Sequence, residues 1–582
     1  MAARLRRVAA AAREVLLDLA AEQTEADRGA LVIGGGKVTN PATKAELTYG
    51  ELTKGQKITK TVAGDVATTP AADWKVAGAS VPKVEGRAIV TGKHQYASDI
   101  HLPGMLHGKV LRPPTLNAKL VSADLSAAKA MPGVVAVHDG EFVGVAAPTV
   151  HEAVQALAAI KAEWSSQAEP SDKTLFEDLK RGGGAGGGGR FGQGGDSRGS
   201  IERGLEAAAH KLAATYTIAY IAHAPLEPRA AVAQWQEGKL TVWTGTQRPF
   251  GIQGDVARAF GLSADSVHVV VPDTGSAYGG KHTNDAPVEA ARLAKAASRP
   301  VKLVWTREEE FTWAYHRPAG VIEVNAGVSK EGKLTAWDFH NYNSGGSSIR
   351  PLYDIPNLRT QSHGASSPLK QGSYRALAAT ANSFARECHI DDLAHAAGID
   401  ALEFRLQNTN DERLKAVLIA AAEKFGWMTR PPADGSGFGI AGSSEKGSYV
   451  ATCAEVAIDR QRGKVQVVRA VTAFECGAIV NPKHLENQVE GSVMMGLGGA
   501  LFEAIEFDGG KITNASFGGY RVPRFSDLPE LETVLVNRPD LPSAGAGETP
   551  IIAIAPAIGN AIFKASGTRL RSLPMVPQGW KT

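Results

Sequence analysis

Apolar and polar positions alternate with period two on both sides of three short polar turns. "AVAQWQEGKLTVWTG" turns at Gly238-Lys239, "IEVNAGVSKEGKLTAWDF" at Gly332-Lys333, and "AEVAIDRQRGKVQVVRAV" at Gly463-Lys464. Alternation around a Gly-containing turn predicts a β-hairpin with one buried face per strand. Between and beyond these hairpins the pattern predicts helices over residues 287–298, 380–397, 401–425, 484–505 and 553–566. Nearer the N-terminus it predicts a helix at 2–22, short strands with turns at 30–64, and a proline-containing connector to about residue 80. From Val81 to Trp164 strands mix with two alanine-rich helices, 123–131 and 151–163. Long hairpins interspersed with helices give an α+β fold class. At 582 residues the chain should hold more than one domain.

Composition narrows the picture. The stretch "RGGGAGGGGRFGQGGDSRG", residues 181–199, cannot pack a core and reads as a linker. It separates residues 81–180 from two later segments, 201–430 and 431–582, with residues 1–80 in front. Lys and Arg total 63 against 60 Asp and Glu, a net of +3, and aromatics do not interleave with basic runs, which argues against nucleic acid. The three cysteines are far apart without metal-ligand spacing, so any iron–sulfur centre involved would lie on another chain. No apolar run is read as long enough to span a membrane. Arg6-Arg7 precedes an apolar run that Arg13, Glu14 and Asp18 interrupt, which suits an amphipathic helix better than an export signal. The expected location is the cytoplasm, or the periplasm if an export signal lies outside this chain.

Several stretches carry candidate chemistry. In "VHVVVPDTGSAYGGKHTND" a strand at 267–271 leads into a Gly-rich turn at 275–280. Gly275 to Lys281 fits the first seven positions of a phosphate-binding P-loop, but the Ser/Thr that should follow is His282. Pro287 fits the first turn of a later helix, capped by Asn284 or Asp285, better than a helix starting at the loop. What remains is a loop whose backbone N–H groups can face an anionic or oxo-bearing ligand. Gln247 at a hairpin-strand end and Arg375 before an alanine-rich helix each read, alone, as surface or salt-bridging residues. In "SAGAGETPIIAIAPAIGNAIF", residues 543–563, Glu548 is the only ionisable side chain. It is either a carboxylate at a helix start, facing the helix dipole and water, or a general base with a raised pKa among small residues. Helix 484–505 carries Gly491, Gly496, Gly498 and Gly499, each costing about 1 kcal/mol of helix propensity. Close packing against another helix or a large ligand must offset that.

Taken in order, "KVEGRAIVTGKHQYASDIHLPGMLHGKVLRPP" (83–114), "APLEPRAAVA", "TGTQ", "DTGSAYGGKH", "GSYRALAATANSFAREC", "NQVEGSVMMGLGGALFE" and "GAGE" resemble the large molybdenum-binding subunit of the xanthine oxidase family. The layout is similar to its isoquinoline, nicotinate and aldehyde oxidoreductase branch, over residues 81–570. The resemblance implies a hammerhead-type α/β domain at 81–180, molybdopterin-binding domains at 201–430 and 431–582, and a remnant of an N-terminal molybdopterin-binding segment at 1–80. It implies a molybdenum–molybdopterin cofactor, in the cytosine dinucleotide form, with no direct protein ligand to the metal. Gln247 then faces an oxo ligand, Ser276, Ala277, Tyr278 and Gly279 surround the cofactor, Arg375 and Gly547 lie beside it, and Glu548 is the base. Tyr278 and His282 face substrate, and His282 departs from the Glu common in purine oxidisers. The implied reaction hydroxylates an aldehyde or N-heteroaromatic with oxygen from water. Electrons leave to a small 2Fe–2S subunit, with a cytochrome as a further acceptor; neither nucleic-acid binding nor direct membrane insertion is implied. A truncated, non-catalytic member with a structural or partner-binding role is the alternative, and a P-loop-like nucleotide binder a third. Residues 1–64 resemble only the end of the family's N-terminal portion, and the one Gly-Gln-Gly, Gly192-Gln193-Gly194, lies inside the glycine-rich stretch. The chain is therefore expected to be a fragment, an internal start or half of a split subunit, and to hold cofactor poorly by itself.

Overall fold

The computed structural model describes residues 2–55, 57–59, 66–165, 168–182 and 195–576. Gly192-Gln193-Gly194 and most of the glycine-rich stretch lie outside the described residues. The chain forms two compact units. One comprises Met1–Val81, Gly477–Pro482 and Asn537–Ser543; the other holds the remainder.

In the first unit, helix Ala2–Thr24 buries Leu17 and Ala20 together with Val38 and Leu52. Val38 belongs to a three-stranded antiparallel sheet, Val32–Gly34, Lys37–Thr39 and Glu46–Thr48. Thr48 starts the short helix Tyr49–Thr53 with a capping box, its Oγ1 accepting from Glu51 N–H at 3.2 Å.

In the second unit, all three hairpins form at the turns the alternation marks. Ala230–Gln236 pairs with Lys239–Thr244, Gly320–Val328 with Leu334–Tyr342, and Ser448–Asp459 with Lys464–Glu475. The first lies in a seven-stranded sheet ordered Val267–Val270, Lys239–Thr244, Ala230–Gln236, Val301–Val304, Leu106–Val110, Phe142–Ala147, Val135–Asp139. Strands from both sides of the glycine-rich stretch thus share one sheet, joined where Leu106–Val110 runs parallel to Val301–Val304. Helices Pro249–Phe260 and Asp285–Ala297 bury Ile252, Val256, Ala290 and Leu293 in its core. The second hairpin lies in a six-stranded sheet and the third in a four-stranded sheet.

Several predicted helices change. Residues 401–425 form two helices, Ala401–Gln407 and Glu412–Phe425. The side chain of Asp411 accepts from the N–H groups of Arg413 and Leu414, capping the second helix and ending the first-helix pattern there. The helix at 151–163 stops at Ala158, and Lys161–Ser165 is a strand paired with Lys119–Asp124. That second strand shortens the 123–131 helix to Ser126–Lys129. Pairing overrides alanine's helix propensity in both places. The strand Ser436–Glu445 was not legible; its Gly437 and Gly439 sit directly against the backbone of helix Ile554–Ser566, where no side chain fits.

In helix Pro482–Leu501, Gly496 packs on Ile551 and Ile554 and Gly499 on Ile221, so close packing offsets their helix cost. Gly491 faces open space. Among the described residues one stretch, Thr549–Ser566, is long and apolar enough by composition to cross a membrane, contrary to the sequence reading, yet 78% of it is buried inside the fold.

Candidate active site

The loop that follows strand Val267–Val270 holds a costly backbone. Ser276 (φ 76°) and Tyr278 (φ 53°) are left-handed, as is Gly279 (φ 99°). Non-glycine residues stay there only where the surroundings over-determine them. Those surroundings are specific. Gly275 N–H donates to Glu227 Oε2 at 2.7 Å, and Leu226 N–H donates to Ser276 Oγ at 3.2 Å. Tyr315 Oη donates to Gly279 O, and Arg229 donates to Gly280 O. Arg229 is buried and paired with buried Glu310, which also accepts the Arg229 backbone N–H. A Cβ on Gly279 would lie 2.7 Å from Ser373 O, so only glycine lets the two loops meet. Ala277 is buried beneath, while Tyr278 is 42% exposed.

Lys281 does not reach solvent. Its Nζ lies 3.0 Å from Glu227 Oε2, and burial pushes its pKa down against the pull of Glu227. Helix Asp285–Ala297 begins only after the loop, with Pro287 in its first turn and Asn284 at the N-cap. A P-loop needs this lysine on phosphate and the helix at the loop, so the nucleotide-binding alternative fails on both counts. Gln247 is exposed, with its N–H donating to Lys281 O at 3.1 Å and its Oε1 accepting from Lys281 N–H at 3.4 Å. The His282 carbonyl accepts from Arg248 Nε at 3.1 Å.

Arg375 is buried and reaches across to a third segment. Its Nε donates to Gly547 O at 2.6 Å and its Nη2 to Gln488 Oε1 at 2.9 Å. Ala376 (φ 65°) and Leu377 (φ 54°) repeat the left-handed strain. Behind them, Tyr374 packs between Arg317, 5.7 Å from its ring, and His223, 5.4 Å away. Burial pushes the His223 pKa down to about 3, so the neutral ring donates Nε2–H to Ser373 O at 2.6 Å.

Glu503 lies in the same buried layer and bonds Tyr520 Oη at 2.9 Å. Burial raises its pKa to about 8, against the opposing pull of Tyr520 and Arg317. A carboxyl raised in the folded state contributes stability that is full below pH 4.5 and is lost as pH rises through 8. Stability should therefore fall across that window by up to about 1.4 kcal/mol per pH unit. Glu503→Gln should flatten the pH dependence of the melting temperature there; an unchanged profile would count against this assignment.

Glu548 closes the Gly545–Gly547 loop at the N-cap of the turn Thr549–Ile552, which leads into helix Ile554–Ser566. The helix-start placement of the sequence reading therefore holds. Its surroundings do not: the carboxylate is 34% exposed and ion-paired with Lys446 Nζ, rather than lone and enclosed by apolar residues. Gly545 and Gly547 face open space where a Cβ would sit, so a bulky group can approach their backbone.

The fold thus brings residues 276–279 against Ser373-Tyr374, ties Arg375 to Gly547, and locks Gln247 onto Lys281. The supports the sequence reading assigned no role are His223, Glu227, Arg229, Glu310, Tyr315 and Lys446. Glu227 and Arg229 lie inside the "APLEPRAAVA" motif, which carried the signal. Glu310 is one of three consecutive acids, and nothing local distinguishes it. Gly545 and Gly547 thus leave open backbone next to the Arg375–Gly547 hydrogen bond, where a bulky group has room to approach.

Residues 193–409 and 374–529 each match the molybdopterin cofactor-binding domain, and residues 91–145 the aldehyde oxidase and xanthine dehydrogenase a/b hammerhead domain. The chain is 30% identical to one of the subunits of nicotinate dehydrogenase from Pseudomonas putida, over 99% of its own length and 52% of that protein. It is 27% identical to the beta chain of isoquinoline 1-oxidoreductase from Brevundimonas diminuta, over 98% of the chain and 81% of that protein. The chain belongs to the xanthine oxidase family. It corresponds to that family's large molybdopterin-binding subunit and spans about half (52%) of the Pseudomonas relative. Solved family structures share its fold: quinoline 2-oxidoreductase from Pseudomonas putida 86 superposes with a TM-score of 0.76 at 18% identity, covering 87% of this chain and 97% of that one. The aldehyde oxidoreductase from Desulfovibrio gigas gives 0.74 at 19% identity, over 88% and 81%.

Proposed function

We propose that this chain is the catalytic subunit of a molybdenum-dependent hydroxylase that oxidises an aldehyde or an N-heteroaromatic compound with oxygen from water. The observation that carries this reading is the convergence of two strained loops, 276–279 and 376–377, with Arg375 reaching from the second to Gly547 beside Glu548. The molybdenum–molybdopterin group, in its cytosine dinucleotide form, supplies the two-electron redox chemistry when bound. The chain's own residues bind, orient and move one proton. Backbone at Ser276, Ala277, Tyr278 and Gly279 and the Gln247 amide would hold the group. Arg375 fixes the Gly547 backbone next to Glu548. Glu548 takes up the proton released as oxygen adds to the substrate carbon. Tyr278 and His282 border the substrate's approach, and the small residues at 545–547 leave it room. Electrons pass to a small 2Fe–2S subunit and on to a cytochrome. Relatives named as subunits support a multi-chain enzyme.

Turnover in ¹⁸O-labelled water tests the reading. Label in the product is the expected result; unlabelled product, with oxygen traced to O₂, would contradict it.

A further inference from the structure

Lys446 occupies a position where lysine is a poor choice. The hairpin joining Ser436–Glu445 to Ser448–Asp459 closes with Glu445 opposite Ser448, so Lys446 and Gly447 are its two turn residues. Both are left-handed, with φ 51° and 82°. Turns of this kind take Asn-Gly, Asp-Gly or Gly-Gly, because a side chain with a Cβ pays a steric penalty at positive φ.

The turn is also fastened to the segment that carries Glu548. Ser448 Oγ donates to Gly545 O at 2.5 Å, Thr549 Oγ1 donates to Glu445 O at 2.9 Å, and Lys446 Nζ meets the Glu548 carboxylate between them. The other charges around the turn are engaged elsewhere. Glu445 accepts from Ser348 Oγ at 2.5 Å, Arg413 pairs with Glu475 and donates to Gly447 O at 2.9 Å, and Arg375 is held by Gly547 O and Gln488. Among the described residues, Lys446 is the cation that pairs with Glu548.

We infer that Lys446 is a positioning residue for Glu548: its ammonium, presented by a strained hairpin turn, orients the carboxylate. This rests on the reading of Glu548 as the base. Removing the cation should shift the Glu548 titration to higher pH, because the ionised form loses its partner.

Lys446→Asn separates this role from a structural one, because asparagine suits the turn better than lysine. The full chain, labelled with ¹³C at glutamate carboxyls, is titrated by NMR; the Glu548 signal is assigned by its loss in Glu548→Gln. In Lys446→Asn the melting temperature should hold or rise while the Glu548 midpoint moves up; Lys446→Arg should restore the midpoint. In active enzyme the acid limb of the pH–rate profile should move by the same amount. An unchanged Glu548 midpoint in Lys446→Asn overturns the inference whatever the activity. A shifted midpoint alongside normal hydroxylation by Glu548→Gln would instead remove Glu548 as the base and leave the Lys446–Glu548 coupling standing.

Discussion

Glu548→Gln is expected to lower substrate hydroxylation by roughly 10²–10⁴-fold while leaving cofactor content unchanged. Glutamine keeps the shape of the side chain but cannot take up a proton. The loss should appear in the rate at which substrate reduces the cofactor, since the proton moves in the chemical step, and not in substrate affinity alone. A purely structural role makes a different forecast. A carboxylate at a helix start contributes about 0.3–1 kcal/mol, and an exposed ion pair such as Glu548–Lys446 about 0.2–1 kcal/mol. The variant would then melt slightly earlier and turn over almost normally. Anaerobic rapid-mixing reduction and a melting curve on the same sample separate the two outcomes.

Glu310→Ala is expected to destabilise the second unit by about 3–5 kcal/mol and to strip the cofactor. Arg229 and Glu310 are both buried, and Arg229 stacks 5.2 Å from the Trp305 ring. Truncating Glu310 leaves a guanidinium without its counter-charge in a place water does not reach. It also frees the Arg229 backbone N–H. Arg229 holds Gly280 O, so the strained turn 276–279 loses its rear support. Glu310→Gln keeps an acceptor but not the charge, and should fall between wild type and alanine. Urea unfolding midpoints and bound pterin measured together check this; a loss below about 1 kcal/mol with full cofactor content would show that the pair is not what holds the loop.

The hairpins were legible because period-two alternation flanks their turns, and such a signal is local. The candidate residues Gln247, Tyr278, Arg375 and Glu548 were legible only through the order of their motifs, since each alone reads as an ordinary surface or helix-start side chain. What escaped the sequence depends on distance along the chain. Lys281 meets Glu227 across 54 residues and Arg229 meets Glu310 across 81, and no local pattern announces either pair. Strand Ser436–Glu445 was hidden by its glycines, which serve the close approach of helix Ile554–Ser566 and remove the β-branched signal a strand normally gives. The lysine at Lys446 was visible as a residue, but its left-handed backbone and its meeting with Glu548 exist only in three dimensions.

Whether the loops at 276–279 and 375–377 hold a molybdenum–molybdopterin group is decided by metal and pterin content. The protein is purified with its accompanying chains from a host that makes the cofactor; molybdenum is counted by mass spectrometry and pterin by fluorescence after oxidation. About one of each per chain is predicted, with both lost together in Gly279→Val, whose Cβ would strike Ser373 O. Protein that is folded by its melting curve yet contains neither molybdenum nor pterin would contradict the assignment of these loops.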